Sequence, residues 1–220
     1  WPLLAFAVAF GVLEVFSLDR MIAREWYFNV HTAQWLGAGA GEWWARGLLH
    51  TGGRWVVRGI AAAALALWAL SFAIAPFREW RRTAGYVLLS MLLAMLIVGV
   101  LKAVTNVDCP WNLEGFGGHN AYFALFADRP DALKRAQCFP GAHASSGFAL
   151  VCFYFVFRDR SRLLARWLLA AAITVGIAFS IGQEARGAHF LSHDLTSAAI
   201  VWFVQLGLYA WFIRRTRASS

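Results

Sequence analysis

Arg186 to Asp194 reads RGAHFLSHD, a polar stretch between two long apolar runs, about Leu163–Ile181 and Leu195–Phe212. Runs of about 18 apolar residues are long enough to cross the hydrocarbon core of a bilayer, so the polar stretch reads as a turn between two membrane spans. If it enters a helix, His189 and His193 stand four residues apart and share a face, with Arg186 on the same side. A cation, two imidazoles and a carboxylate at the edge of a span point to phosphate chemistry or to a metal site. The plainer alternative is a polar helix cap whose histidines sit at the membrane interface.

The rest of the chain agrees with a membrane setting. Of 220 residues, 60% are hydrophobic and 15% charged, against about a quarter charged in an ordinary soluble domain. Mean hydropathy is +0.55. The first residue is Trp1 rather than Met, so the sequence reads as lacking its natural start, and a missing signal peptide carries no weight. The net charge of +8 does not read as a nucleic-acid face, because the cations cluster in short loops between apolar runs. Some of that excess favours anionic lipid head groups.

Working outward, the pattern predicts an all-α integral membrane protein, a six-transmembrane-helix bundle forming a single domain over residues 1–220. The spans fall at about Pro2–Phe16, Trp55–Ala75, Ala84–Leu101, Ala142–Phe157, Leu163–Ile181 and Leu195–Phe212. Residues 17–54 read as an outer interfacial segment rich in tryptophan, and residues 103–140 as a long outer loop. Basic residues at Arg78, Arg81 and Arg82, at Arg158, Arg160, Arg162 and Arg166, and at Arg214, Arg215 and Arg217 mark one end of the bundle as cytoplasmic. Both termini are then cytoplasmic, and all six histidines and Lys102 face outward. Glu14, within the first span, pairs with Arg58 or lies near the inner interface. In an oxidising compartment Cys109 and Cys138 would form a disulfide across the outer loop, closing about 30 residues and worth roughly 3–4 kcal/mol; two free thiols are the alternative.

Three separated pieces meet at the outer ends of the third, fourth and sixth spans: Lys102 with the turn Asp108–Trp111, the stretch Cys138–Phe148 with His143, and RGAHFLSHD. Taken singly, each reads as an interfacial anchor; together on one face they read as a site. The pattern resembles the type 2 phosphatidic acid phosphatase (lipid phosphate phosphatase) superfamily, in a divergent bacterial form. That family's signature is K-x6-R-P, P-S-G-H and S-R-x5-H-x3-D. Lys102 through Cys109-Pro110 keeps the first spacing, Pro140-Gly141-Ala142-His143 matches the second, and His189 aligns with the histidine of the third. Cys109 stands at the first motif's arginine, Gly141 at the second's serine, Gln183 at the third's arginine and His193 at its aspartate.

The resemblance implies a metal-independent phosphatase, without cofactor, that acts on a lipid phosphate in the bilayer through a phosphohistidine. Its setting would be a bacterial inner membrane, with the site facing the periplasm. Polyprenyl pyrophosphate, phosphatidylglycerol phosphate and lipid A phosphate are candidate substrates. By alignment His189 attacks phosphorus, and His143 protonates the leaving oxygen and then activates water; the reverse assignment, His193 attacking with His189 in support, stays open. Asp194 lies five residues after His189 and reaches it only if a turn brings it in. Lys102 and Arg186 would bind phosphate, with Arg54 or Arg135 as recruits and backbone N–H groups around Gly141, Ala142 and Ser145 adding to the anion site. His50, ahead of Gly52-Gly53-Arg54, is a candidate lining residue. A phosphotransferase, a non-catalytic lipid-phosphate binder, and a metal protein using His189, His193, Asp194 and His143 remain alternatives. Oligomeric state is not readable.

Overall fold

A computed structural model of the chain describes residues 2–130 and 132–214, with side chains to Phe212. Arg215 and Arg217, among the basic residues read after the last apolar run, lie outside the described residues. Helix α1 (Pro2–Val15) turns at Ser17, whose backbone is left-handed, into α2 (Leu18–Ile22) and a π-helical turn (Ala23–Tyr27), bent by 71°. A two-stranded antiparallel hairpin follows, β1 (Phe28–Asn29) and β2 (Gln34–Trp35). Then come α3 (Gly53–Ala73), α4 (Arg81–Val104), α5 (Ala142–Phe148), α6 (Cys152–Phe157), α7 (Arg162–Glu184) and α8 (Leu191–Leu208).

Four helical stretches among the described residues are long and apolar enough to cross a membrane: Gly39–Ala73, Ala75–Val104, Arg162–Glu184 and Leu191–Phe212. The bent pair formed by α1 and α2 makes a fifth if counted as one span. The stretch expected as the fourth of six spans, Ala142–Phe157, is a shorter apolar helix. The second span also begins earlier than expected. Residues 43–52, read as interfacial, wind as a π helix that runs straight into α3. This wider winding leaves Trp43, Leu48 and Trp55 exposed and carries the partly buried Leu49 and His50 toward the interior.

Burial follows the logic of a lipid solvent. Large apolar side chains such as Leu92, Leu96, Val100 and Trp167 are exposed, whereas Ser71, Ser90 and Gln205 are fully buried. On α4 the inward positions Ala84, Val87, Met91, Ala94 and Val98 recur at alternating spacings of three and four, a single helical stripe. Buried polar groups are used as internal ties. The Tyr86 hydroxyl donates to the Gln205 carbonyl at 3.1 Å, and the Gln205 amide donates to the Ala149 carbonyl at 2.7 Å. Helices α5 and α7 meet almost backbone to backbone: a Cβ added at Gly147 would fall 2.9 Å from the Gly176 Cα. Glycine on both sides permits that approach.

The basic loops gather at one end. Arg81 bonds the Ser71 hydroxyl and carbonyl, Arg160 lies over Trp80, Arg82 over Phe212 and Arg158 over Tyr209. Glu14 lies beside Tyr122 and Arg20.

At the other end the long loop is pinned rather than free. Cys109 and Cys138 form a disulfide with Cα atoms 5.1 Å apart. The Trp111 N–H donates to the Gly187 carbonyl at 3.0 Å, and Cys138 N–H to the Val107 carbonyl at 3.0 Å. Gly187 has φ 71° and Trp35 lies where its side chain would project, so both the turn and the packing call for glycine. Arg129 and Asp108 form an ion pair at 2.8 Å, with side chains only 4% and 5% exposed. Asn120 adds a bond to Asp108 at 2.8 Å. Replacing Arg129 with methionine strands a buried carboxylate and is expected to cost about 3–5 kcal/mol of stability. Denaturant titration in detergent would read that loss, and the double variant Arg129→Met/Asp108→Asn is expected to recover part of it.

Candidate active site

A chamber of about 610 Å³ opens between the start of α3, the end of α4, the start of α5 and the turn joining α7 to α8. Lys102 enters it from the last turn of α4, His143 from the first turn of α5, and Arg186 and His189 from the turn. Helix α3 and its π-helical extension add His50, Arg54 and Arg58. Four cationic side chains thus face one space, and among the described residues no carboxylate lines it. Such a cluster of like charges facing one cavity attracts a multiply charged anion.

The side chains are held by specific contacts. The His143 ring stacks on Phe179 with centroids 4.5 Å apart, and its Nε2 meets the Leu49 carbonyl at 3.1 Å. A carbonyl only accepts, so Nε2 carries the proton and Nδ1 keeps its lone pair. His50 stands 4.5 Å from the His143 ring. Its Nδ1 meets the Gln183 amide nitrogen at 2.8 Å, and Arg54 lies against its Nε2. Gln183 Oε1 accepts from Arg186 Nη1 at 3.2 Å. Arg186, Gln183 and His50 therefore form one hydrogen-bonded chain along the wall, with Arg54 packed against its end. Half-burial and then the nearby guanidiniums of Arg46 and Arg54 lower the pKa of Arg186, against a smaller opposing effect of Glu42.

His189 is buried, and the Cys138 carbonyl faces its ring. Burial first, then the Lys102 charge, hold its pKa well below 6.5. Its imidazole is therefore neutral across the physiological range, the state a nitrogen nucleophile needs.

Of the other residues singled out in the sequence, Ala142 reaches the chamber, while Gly141, Ser145, His193 and Asp194 do not line it. The His193 ring lies edge-on to His189 at 5.7 Å, between Phe139 and Phe190. Gly141 N–H donates to the His193 carbonyl at 3.1 Å, and Ser145 N–H to the Gly141 carbonyl at 3.1 Å, so neither faces an anion. Arg135 bonds the Ala103 carbonyl outside the chamber. Arg58, read only as a partner for Glu14, lines the chamber. The signal was present: His50, Arg54 and Arg58 follow one another at steps of four residues, one face of a helix.

The fold and the chamber together define a helical membrane protein with an imidazole-bearing, cation-lined chamber. The family model of the PAP2 superfamily matches residues 83–217, more than half of the chain. The chain belongs to that superfamily, the type 2 phosphatidic acid phosphatases. No curated protein and no solved structure is significantly similar to the chain. The matched segment contains Lys102, His143, Arg186 and His189, and it leaves out His50, Arg54 and Arg58 on the preceding helix.

The glycine at the family's serine position has a local cause. A Cβ on Gly141 would collide with Oδ1 of Asp194, which fills that space. Gly141→Ser is expected to lower stability by about 1–3 kcal/mol through overpacking. Asp194→Ala in the same chain is expected to restore most of it. Thermal unfolding of the two variants in detergent checks both outcomes.

Proposed function

We propose that this protein is a lipid phosphatase that hydrolyses a phosphate or diphosphate monoester of a lipid through a phosphohistidine, without a metal. The single domain has six spans, with Ala142–Phe157 as the fourth, both termini cytoplasmic and the chamber on the periplasmic side of a bacterial inner membrane. Supporting that orientation, the cationic loops gather at the end opposite the chamber. The observation that carries the function is the convergence of Lys102, Arg54 and Arg186 with His143 and His189 around one space that, among the described residues, no carboxylate lines.

In this reading the cations hold the equatorial oxygens of the phosphoryl group, where catalysis is mostly positioning and charge stabilisation. Arg54 and Arg186 take the places of the family arginines that Cys109 and Gln183 have replaced, and Gln183 tethers Arg186. The neutral His189 imidazole attacks phosphorus; the N–P bond forms as the P–O bond to the lipid breaks. His143 first takes up at Nδ1 the proton that a monoanionic substrate phosphate brings, delivers it to the departing oxygen, then takes one from the water that hydrolyses the N–P bond. His189 rather than His193 is the nucleophile, because His193 lies behind it and off the chamber. The Asp194 charge acts on Lys102 from behind the chamber wall. The apolar floor, Val57, Ala61, Met91 and Leu92, receives the lipid chain, with Leu92 already exposed to the bilayer. As for the metal alternative, among the described residues no group of three or more His, Cys, Asp or Glu side chains is arranged to hold an ion.

The test is phosphate release from polyprenyl pyrophosphate, phosphatidylglycerol phosphate and lipid A phosphate by purified protein in EDTA. Release is expected to survive the chelator and to stop with vanadate. His143→Ala and His189→Ala are each expected to reduce it by about 10²–10⁴-fold or more. Arg54→Ala is expected to weaken it by at least about 10-fold, the loss of a charge-assisted contact. No release from any lipid, or equal release by the histidine variants, would overturn the assignment.

A further inference from the structure

The four cations that line the chamber do not lie at one level. Helices α3 and α4 run antiparallel, and contacts near the basic end fix their register. Arg81 Nε donates to the Ser71 hydroxyl at 3.1 Å, and Trp68 lies against Gly85. Ten residues on from that second contact, back along α3 and forward along α4, Arg58 stands level with Met95. Lys102 is seven residues beyond Met95, about 10 Å along the helix axis.

Arg54 and Lys102 belong with the imidazoles: the first lies against His50 and the charge of the second acts on His189. Arg58 turns elsewhere. Its guanidinium lies over the Trp55 ring, 5.3 Å from the centroid, and both side chains are exposed. Beside it on the lining face are Val57 and Ala61, which with Met91 and Leu92 make the apolar floor. A charged side chain inside an apolar span is costly and by default marks a ligand path. Stacking on tryptophan recovers part of that cost. Among the described residues no carboxylate pairs with Arg58.

With the lipid chain along the floor and the reacting phosphoryl among Lys102, Arg54 and Arg186, the segment that joins them passes Arg58. Hydrocarbon there offers the guanidinium nothing, and an ester only a neutral acceptor. A second phosphate offers a two-pronged, charge-assisted contact. Charge points the same way, since four lining cations exceed the charge of one phosphate monoester, about −2.

We propose that the chamber selects lipids with two phosphate groups, and that Arg58 binds the second, chain-side phosphate. This rests on the phosphatase reading for the place of the reacting phosphoryl. Two kinds of lipid supply the chemistry: a diphosphate, whose phosphates are joined directly, and a phosphatidylglycerol phosphate, whose phosphodiester follows a glycerol.

Calorimetry on the full chain in a non-ionic detergent tests it without turnover, comparing farnesyl methylenediphosphonate with farnesyl phosphonate. The diphosphonate is expected to bind at least about 10-fold more tightly. Arg58→Gln is expected to remove most of that preference, Arg58→Lys to keep part of it, and Arg54→Gln to weaken both ligands alike. Turnover separates the sources. A lower KM for farnesyl diphosphate than for farnesyl phosphate, lost in Arg58→Gln, assigns directly joined phosphates. The same pattern for phosphatidylglycerol phosphate against phosphatidic acid assigns the glycerol-spaced pair. If no lipid is hydrolysed but the diphosphonate preference and its dependence on Arg58 hold, the phosphatase reading falls and the two-phosphate site stands. Equal affinity for the two analogues, no binding of either, or equal losses for both in Arg58→Gln, as an interfacial anchor would give, overturns the site. Turnover that persists in that case leaves the phosphatase reading intact.

Discussion

The contact between Gly147 and Gly176 sets the depth of everything above it. Because neither residue carries a side chain, α5 presses against α7 at backbone distance. One turn further out, Phe179 of α7 then lies flat under the His143 ring. The same approach brings the end of α7, with Gln183 and Glu184, level with the start of α5. Helix packing inside a bilayer gains little from expelling apolar surface, since lipid is equally apolar, so close contact and internal hydrogen bonds must supply the specificity. The ties Tyr86–Gln205 and Gln205–Ala149 are of that second kind, and they hold α4, α8 and the link between α5 and α6 in register.

Second in importance is the arrangement of charge at the outer end. Cations from three separate elements face the chamber, while the buried carboxyls of Asp19, Glu184 and Asp194 lie on the other side of the α7–α8 turn. The turn thus separates the chamber's cations from the buried carboxyls. At the dividing line, Gly141 stands at the family's serine position with Asp194 Oδ1 filling the space of its side chain, and each constrains the other's identity.

Much of the site was legible in the sequence because its residues sit at the ends of apolar runs, where a polar side chain in a membrane protein stands out. Span counting and loop charge alone bring Lys102, His143, Arg186 and His189 to one end of the bundle, where they line one chamber. Their depth does not follow from either. His189 and His193 differ by one helical turn and read alike, yet only the first lines the chamber. That distinction depends on how Phe139 and Phe190 pack around His193, a tertiary matter. The extension of α3 back to Gly39 was hidden for another reason. A run containing Trp, Arg, Gly and His has no 3.6-residue periodicity when it winds as a π helix, so it reads as irregular. With that extension hidden, Arg58 was read as a span residue in search of a partner.

The stretch Ala142–Phe157 carries a consequence for the surrounding lipid. Its 16 residues rise about 24 Å if helical throughout, several ångströms short of a hydrocarbon core of about 30 Å. On the six-span reading, the bilayer must thin against this flank or draw water down to meet it. A head group at that point would stand lower than its neighbours, already near the level of His143. Hydrophobic mismatch would then do part of the work of delivery, and acyl-chain length in the host membrane would tune it.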